Sequence, residues 1–408
     1  MSTVVFINAP AYGHINPTLP LIAELVRRGE RVFYYTTEAF QQIIEQTGAT
    51  FCNYGKGFPD HFAQGIEDNP FLENPFVMIE ANIETGKWVL DHLLDEIRDL
   101  QPDYLIHDAF CFWGRCIAQA LHLPAITSIA SIAFNRKITA GGPSQLFVLL
   151  QMFWKGRKNF QHGRKLVSET VETYHIQPPK FLFEVIRNYS MLNIVYTSKA
   201  FQPYGETFDD QQFKFVGPAF LPISDTSNFP FEKLGKQPLI YISMGTIYNK
   251  DASFFRTCIE AFAQSKWQIV MALGGQGSVE ALGTLPANFV VRNYVPQDQV
   301  LQQSVLLITN GGTNSVNHAL YHNVPMILIP QSADHPWNAK RVAELGAGKV
   351  LAKKHITVSS LRAAAEEILS QPEYTGAAAT LGETLRAAGG PQKAAEEIAK
   401  FKLKNCIA

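Results

Sequence analysis

Short apolar runs alternate with longer amphipathic stretches along most of the chain, so that strand signals repeatedly give way to helical spacing. Residues 4–9 predict a strand, 10–16 a glycine-containing loop, and 17–28 a helix with Pro17 near its first turn and Gly29 at its end. A strand at 31–36 and a helix at 38–46 follow, and this order opens a doubly wound parallel sheet. Residues 54–75 interrupt it as a polar surface excursion. Beyond lie a long helix over 77–100 ended by Pro102, a strand at 103–107, a helix at 112–121 and a strand at 124–129. From 132 to 187 the sequence is mostly helical, and strands return at 191–197 and 213–216.

The next stretch holds Pro218, Pro222 and Pro230 with little periodicity, and 218–237 is expected to link two domains. The alternation then restarts, with strands at 239–244, 268–273 and 288–292 and helices at 251–264 and 297–303. Residues 305–309 are a strand broken by Gly311 and Gly312, 314–322 have helical spacing, and 324–330 are a second apolar strand. Residues 359–404 are helical, with breaks at Pro372 and at Gly389-Gly390-Pro391. The pattern predicts an α/β protein of two Rossmann-like domains, 1–217 and 238–388, facing across a cleft. Residues 389–408 form a terminal helix expected to pack back on the first domain.

At 408 residues, with 46% hydrophobic and 17% charged positions, the chain fits a soluble two-domain enzyme and not a disordered or fibrous protein. A net charge of -1, without a basic run, argues against nucleic acid as a partner. The five cysteines lack CxxC spacing and read as reduced thiols, which points to the cytoplasm and away from disulfides or zinc. No apolar run reaches the length of a membrane span. A monomer or weak homodimer is expected.

Chemistry concentrates around the glycine break. Gly311 and Gly312 let a ligand approach the backbone, and the amides opening the following helix make a ready site for a phosphate. A nicotinamide dehydrogenase is disfavoured, because Ala9-Pro10-Ala11-Tyr12-Gly13-His14 stands where a GxGxxG fingerprint belongs.

Six segments occur in the order of one family: Gly13-His14-Ile15-Asn16-Pro17, Asp108, Phe215-Val216-Gly217-Pro218, Ser243-Met244-Gly245-Thr246, Tyr294-Val295-Pro296-Gln297, and the 305–339 stretch. In these the chain resembles a family-1 glycosyltransferase of the GT-B fold, of the bacterial macrolide-glycosyltransferase-like branch. The resemblance implies an inverting, metal-independent transfer of a hexose from a nucleoside-diphosphate sugar, most simply UDP-glucose, to a hydroxyl of an apolar small molecule such as a macrolide, polyketide or flavonoid-like acceptor. It needs no cofactor, the nucleotide sugar being a co-substrate. It implies His14 as general base, held by Asp108. Taken singly, His14 reads better as a residue capping the helix at Pro17 and Asp108 as a strand-end loop residue; it is as a pair at strand ends that they point to catalysis. On the donor side it implies Tyr294 stacking on the base, Val295 reading its edge and Gln297 near the ribose. Ser243, Gly245, Thr246, Gly312, Asn314 and Ser315 would hold the diphosphate, and Asp334 the sugar hydroxyls. Phe112, Phe134 and Phe147 are the expected acceptor-binding aromatics, with ordinary core packing as the alternative.

Three positions depart from the family pattern. Asn310 replaces a histidine that donates to the diphosphate, His318 a glutamate that accepts from the ribose, and His335 a glutamine beside Asp334. Asn310 is expected to donate to the diphosphate as a neutral group, and restoring histidine there is expected to improve turnover of an ordinary UDP-hexose. The departures leave open an unusual donor, or a catalytically relaxed paralogue that serves as a ligand-binding or auxiliary protein.

Overall fold

The computed structural model describes residues 1–59, 74–139, 143–220, 229–245, 252–275, 277–331 and 334–407. Contacts divide the chain into two units, one made of Met1–Ala219 with Gly389–Ala408, the other of Phe220–Ala388.

The first unit is built on a seven-stranded parallel sheet. Its strands are β1 (Thr3–Ile7), β2 (Arg31–Thr36), β3 (Thr50–Asn53), β4 (Tyr104–Asp108), β5 (Ala125–Ile129), β6 (Leu192–Val195) and β7 (Phe213–Phe215), in the order β3-β2-β1-β4-β5-β6-β7. β1 and β4 are buried nearly throughout because helices cover both faces of a parallel sheet. The strand order reverses between β1 and β4, where Ile7 pairs with His107, and such switch points are where open α/β sheets bind ligands.

The second unit repeats the plan with six parallel strands. β8 (Leu239–Ser243), β9 (Gln268–Ala272), β10 (Phe289–Arg292), β11 (Ser304–Thr309), β12 (Met326–Leu328) and β13 (Gly348–Val350) lie in the order β10-β9-β8-β11-β12-β13. Its switch point falls between β8 and β11, where Ser243 pairs with Thr309.

Several expectations change. β3 and β13 are strands too short for periodicity to reveal. The start of the 54–75 excursion is core: Tyr54 and Phe58 are buried and stacked at 4.4 Å, and the Trp113 indole N–H donates to the Tyr54 hydroxyl at 3.1 Å. Residues 60–73 lie outside the described residues. Of the proposed linker, 221–228 also lie outside them, while Phe220 packs edge-on against His318, with ring centroids 4.4 Å apart. The helical 132–187 region is dominated by one helix, Pro143–Tyr174, which packs along the helix Pro75–Asp99. The last helix, Gly390–Lys404, lies on Leu19–Arg27 of the first unit. Among the described residues no helix is long and apolar enough to cross a membrane, and all five cysteines are free thiols.

Candidate active site

In the first unit the chain leaves β1 through Asn8 to Ala11 and enters a short helix, Tyr12–Ile15, that carries His14. Asp108 is the last residue of the neighbouring β4. The switch point therefore brings together two residues ninety-four positions apart: His14 Nδ1 lies 2.8 Å from Asp108 Oδ2. Asp108 is 1% exposed on its side chain, and His14 is 26% exposed. The other Asp108 oxygen accepts the Phe110 backbone N–H at 2.6 Å. A carboxylate held in this way keeps the imidazole in one tautomer, with its proton on Nδ1 and the lone pair on Nε2. His107 points to the opposite face, as alternation requires. It is wholly buried, with its two ring nitrogens each 3.1 Å from a partner, the Asp108 carbonyl and the Ser190 hydroxyl. Burial pushes its pKa down to about 4.

Of the expected acceptor aromatics, Phe134 is half-buried on the segment after β5, its backbone N–H donating to the Tyr189 hydroxyl at 2.6 Å. Phe112 is a correction. It is 2% exposed and belongs to the core beneath the sheet, because the first turn of its helix faces the helix Pro75–Asp99. The aromatic that borders the histidine is Phe110, whose ring centroid is 5.8 Å from that of His14. The Phe147 side chain lies outside the described residues.

In the second unit the loops after β8 and β11 meet. Gly245 has φ +75°, and a Cβ there would come within 2.9 Å of Asn310 Nδ2, so this position requires glycine. Asn310 is buried, with Nδ2 donating to the Met244 carbonyl at 2.7 Å and Oδ1 accepting the Gly312 N–H at 3.2 Å. One N–H of Nδ2 and the Oδ1 thereby knit the two loops together. Gly312 is the residue before the helix Thr313–Tyr321, which begins one residue earlier than its periodicity suggests. Asn314 and Ser315 are half-buried in its first turn, at the positive end of the helix dipole. Thr246 lies outside the described residues. Ser243 ends β8, and its hydroxyl is 3.4 Å from the Gly245 amide.

Asp334 precedes the helix His335–Glu344 and is gripped on one oxygen by the Thr313 hydroxyl and by Asn338 Nδ2, the latter at 3.2 Å. Asn338 also donates to the Gly311 carbonyl at 2.9 Å. His335 is buried, with Nε2 3.9 Å from Asp334 Oδ1; burial lowers its pKa although the aspartate opposes this. His318 Nδ1 is 3.3 Å from Gln297 Nε2, so the amide donates to an unprotonated nitrogen. Burial pushes the His318 pKa down to about 4, leaving its N–H on Nε2. Tyr294 is 64% exposed, its hydroxyl end lying across the Gly275 backbone. Val295 is half-buried beside it.

Over its whole length the chain is similar to the NDP-glycosyltransferase YjiC of Bacillus subtilis (strain 168), at 33% identity, covering 99% of this chain and 98% of that one. It belongs to the family-1 glycosyltransferases. The family model for the erythromycin biosynthesis protein CIII-like C-terminal domain matches residues 256–401. The chain is also 30% identical to the demethyllactenocin mycarosyltransferase of Streptomyces fradiae, covering 98% of this chain and 86% of that one. Among solved structures, the calicheamicin glycosyltransferase CalG4 superposes with a TM-score of 0.81 at 28% identity, with 98% of each chain covered. The two parallel-sheet units are thus those of a GT-B glycosyltransferase. Within this glycosyltransferase, sequence reasoning overlooked Phe110, Thr313 and Asn338. Thr313 and Asn338 fall at motif positions that look like ordinary helix residues, and only the fold turns them toward Asp334.

Proposed function

We propose that this glycosyltransferase moves a hexose from a nucleoside-diphosphate sugar, with UDP-glucose the first candidate, to a hydroxyl of an apolar small molecule, with inversion at the anomeric carbon. The reading rests on the 2.8 Å pair of His14 and Asp108 at a switch point. His14 Nε2 takes the acceptor proton as the acceptor oxygen attacks the anomeric carbon and the bond from that carbon to the diphosphate oxygen breaks. Asp108 keeps the other imidazole nitrogen protonated and stabilises the imidazolium that forms. The leaving diphosphate collects its negative charge at the amino end of the helix Thr313–Tyr321. No step calls for a metal ion or a cofactor. Relatives that include an NDP-glycosyltransferase and the demethyllactenocin mycarosyltransferase support a donor and an acceptor of these classes. Free thiols throughout suit work in the cytoplasm.

Product analysis with a panel of UDP-, TDP- and GDP-sugars and apolar polyphenol or macrolide acceptors tests this reading. Turnover is expected with at least one donor. His14→Ala is expected to lower kcat by about 10²- to 10⁴-fold, the usual worth of general-base catalysis. Wild-type turnover in that variant would overturn the assignment. A second reading, a binding protein without turnover, draws on His318 and His335 at the donor loops. Tight calorimetric binding of a nucleotide sugar with no product on any acceptor would favour it.

A further inference from the structure

Beneath the short helix that carries His14 lies a closed chain of hydrogen bonds. Asn8, Thr18 and Tyr34 are each 0% exposed. Asn8 Nδ2 lies 3.2 Å from the His14 carbonyl and 2.5 Å from the Tyr34 hydroxyl oxygen. The Tyr34 hydroxyl is 2.8 Å from Thr18 Oγ1, and Thr18 Oγ1 donates to the Ile15 carbonyl at 2.8 Å.

The protons in this chain admit one direction. The single proton of Thr18 goes to the Ile15 carbonyl, so Thr18 can only accept from Tyr34. Tyr34 has then spent its proton and can only accept from Asn8. Asn8 has two N–H groups, one for Tyr34 and one for the His14 carbonyl. Burial raises the Tyr34 phenol well above its ordinary pKa, so it stays a donor. Its ring is clamped by Phe6, stacked at 4.8 Å. Asn8 is held in turn: its backbone N–H donates to the Tyr35 carbonyl at 3.1 Å, and its carbonyl accepts from the Tyr54 hydroxyl at 2.9 Å. The helix Tyr12–Ile15 is a single turn. Its last two carbonyls, those of His14 and Ile15, receive side-chain donors from Asn8 and Thr18, and the Ile15 carbonyl also accepts the Thr18 backbone N–H at 2.9 Å.

We infer that Asn8, Tyr34 and Thr18 are positioning residues for the transferase reaction, fixing the backbone of His14 while Asp108 fixes its ring. None of the three touches the reacting atoms. The inference rests on the reading of His14 as the base, and it concerns how that base is aimed. A ring anchored at Nδ1 alone can swing about that bond; a ring anchored there and at its own carbonyl presents Nε2 in one place.

The test compares Tyr34→Phe, Thr18→Val and Thr18→Ser with the wild type. Tyr34→Phe and Thr18→Val break the chain, whereas Thr18→Ser keeps its hydroxyl. Both breaks are expected to lower kcat by about 10- to 100-fold, the cost of a reacting group displaced by a fraction of an ångström to an ångström, with the donor KM unchanged. Thr18→Ser is expected to stay near wild type. A readout that does not depend on turnover is the proton NMR signal of the His14 Nδ1–H, identified by its disappearance in His14→Ala. It is expected to be sharp in the wild type and Thr18→Ser, and exchange-broadened in the two broken variants. Folded Tyr34→Phe and Thr18→Val proteins with wild-type kcat and a sharp signal would overturn the inference. If Tyr34→Phe does not fold, the Thr18→Val and Thr18→Ser pair decides alone. If His14→Ala retains turnover, the base reading fails, and the NMR comparison still decides whether the network holds the imidazole.

Discussion

A buried primary amide brings two donors and an acceptor that must all find partners, and Asn310 uses this to join two loops that share no covalent connection nearby. Its Nδ2 serves the Met244 carbonyl and its Oδ1 the Gly312 amide. Asn310→Ala would strand both groups in a buried setting, and a loss of about 1–3 kcal/mol in unfolding free energy is expected from urea titration. Histidine at 310 carries the same penalty unless it reproduces both bonds beside Gly245, so improved turnover is no longer the expected result of that substitution. His107 sets a pH dependence. Its folded pKa of about 4 lies below the ordinary 6.5, so the unfolded chain binds the proton more readily between those values. Stability is therefore fully present above pH 6.5 and falls as the pH drops toward 4, by at most about 1.4 kcal/mol per unit for this one group. Urea titrations across that range should show a flatter profile for His107→Gln. At this scale the sequence was legible for the pairing of His14 with Asp108, which motif and strand-end position already suggested and which the fold brings to 2.8 Å. It was not legible for Phe112 against Phe110, because two positions along a turn between strand and helix decide which ring enters the core, and neither differs in chemistry.

At the scale of elements, the last helix is the best case of burial by charge. Glu397 on Gly390–Lys404 is 6% exposed and meets Lys400 at 2.7 Å, Lys393 at 3.0 Å and Lys214 of β7 at 3.2 Å. Burial alone would raise its pKa, but the hydrogen bonds and charges of the lysines outweigh it and hold the carboxyl at about 2. The stabilisation is present above pH 4.5 and is lost as the pH falls through about 2. A second pair, Lys402 with Glu30 at 2.6 Å, ties the same helix to the turn after Leu19–Arg27. Glu397→Gln is expected to speed amide hydrogen exchange across residues 390–404 while leaving the second unit's exchange unchanged. The existence of this helix followed from its spacing and from the glycine pair at its start, where Gly389 has φ +90°. Most long strands and helices were legible in the same way. β3 and β13 were not, because four and three residues carry too little periodicity to separate a strand from a loop.

For the whole molecule, the same order of six strands occurs twice, the first sheet adding β7 at its edge, and each sheet offers its own switch point with its own residues. The doubling was legible because two runs of β/α alternation flank a proline-rich break. The seam itself, between Ala219 and Phe220, falls near the start of that break, and Phe220 packs with the second unit. The residues proposed for catalysis and those proposed for donor binding thereby fall in separate units, which leads to a measurable separation. Calorimetry should find the nucleotide-sugar affinity of His14→Ala equal to that of the wild type, whereas Asn310→Ala weakens it by roughly 10-fold, about the worth of one hydrogen bond to a charged group. A lowered affinity in His14→Ala would show that the two sets are not independent. The route of the chain also governs how such a protein can be recombined. Because Gly389–Ala408 returns to the first unit, a chimera with a relative's donor half needs two splices, near Ala219 and near Ala388. A single crossover would seat a foreign last helix on Leu19–Arg27, so that Lys214 and Glu30 no longer meet the Glu397 and Lys402 of this chain.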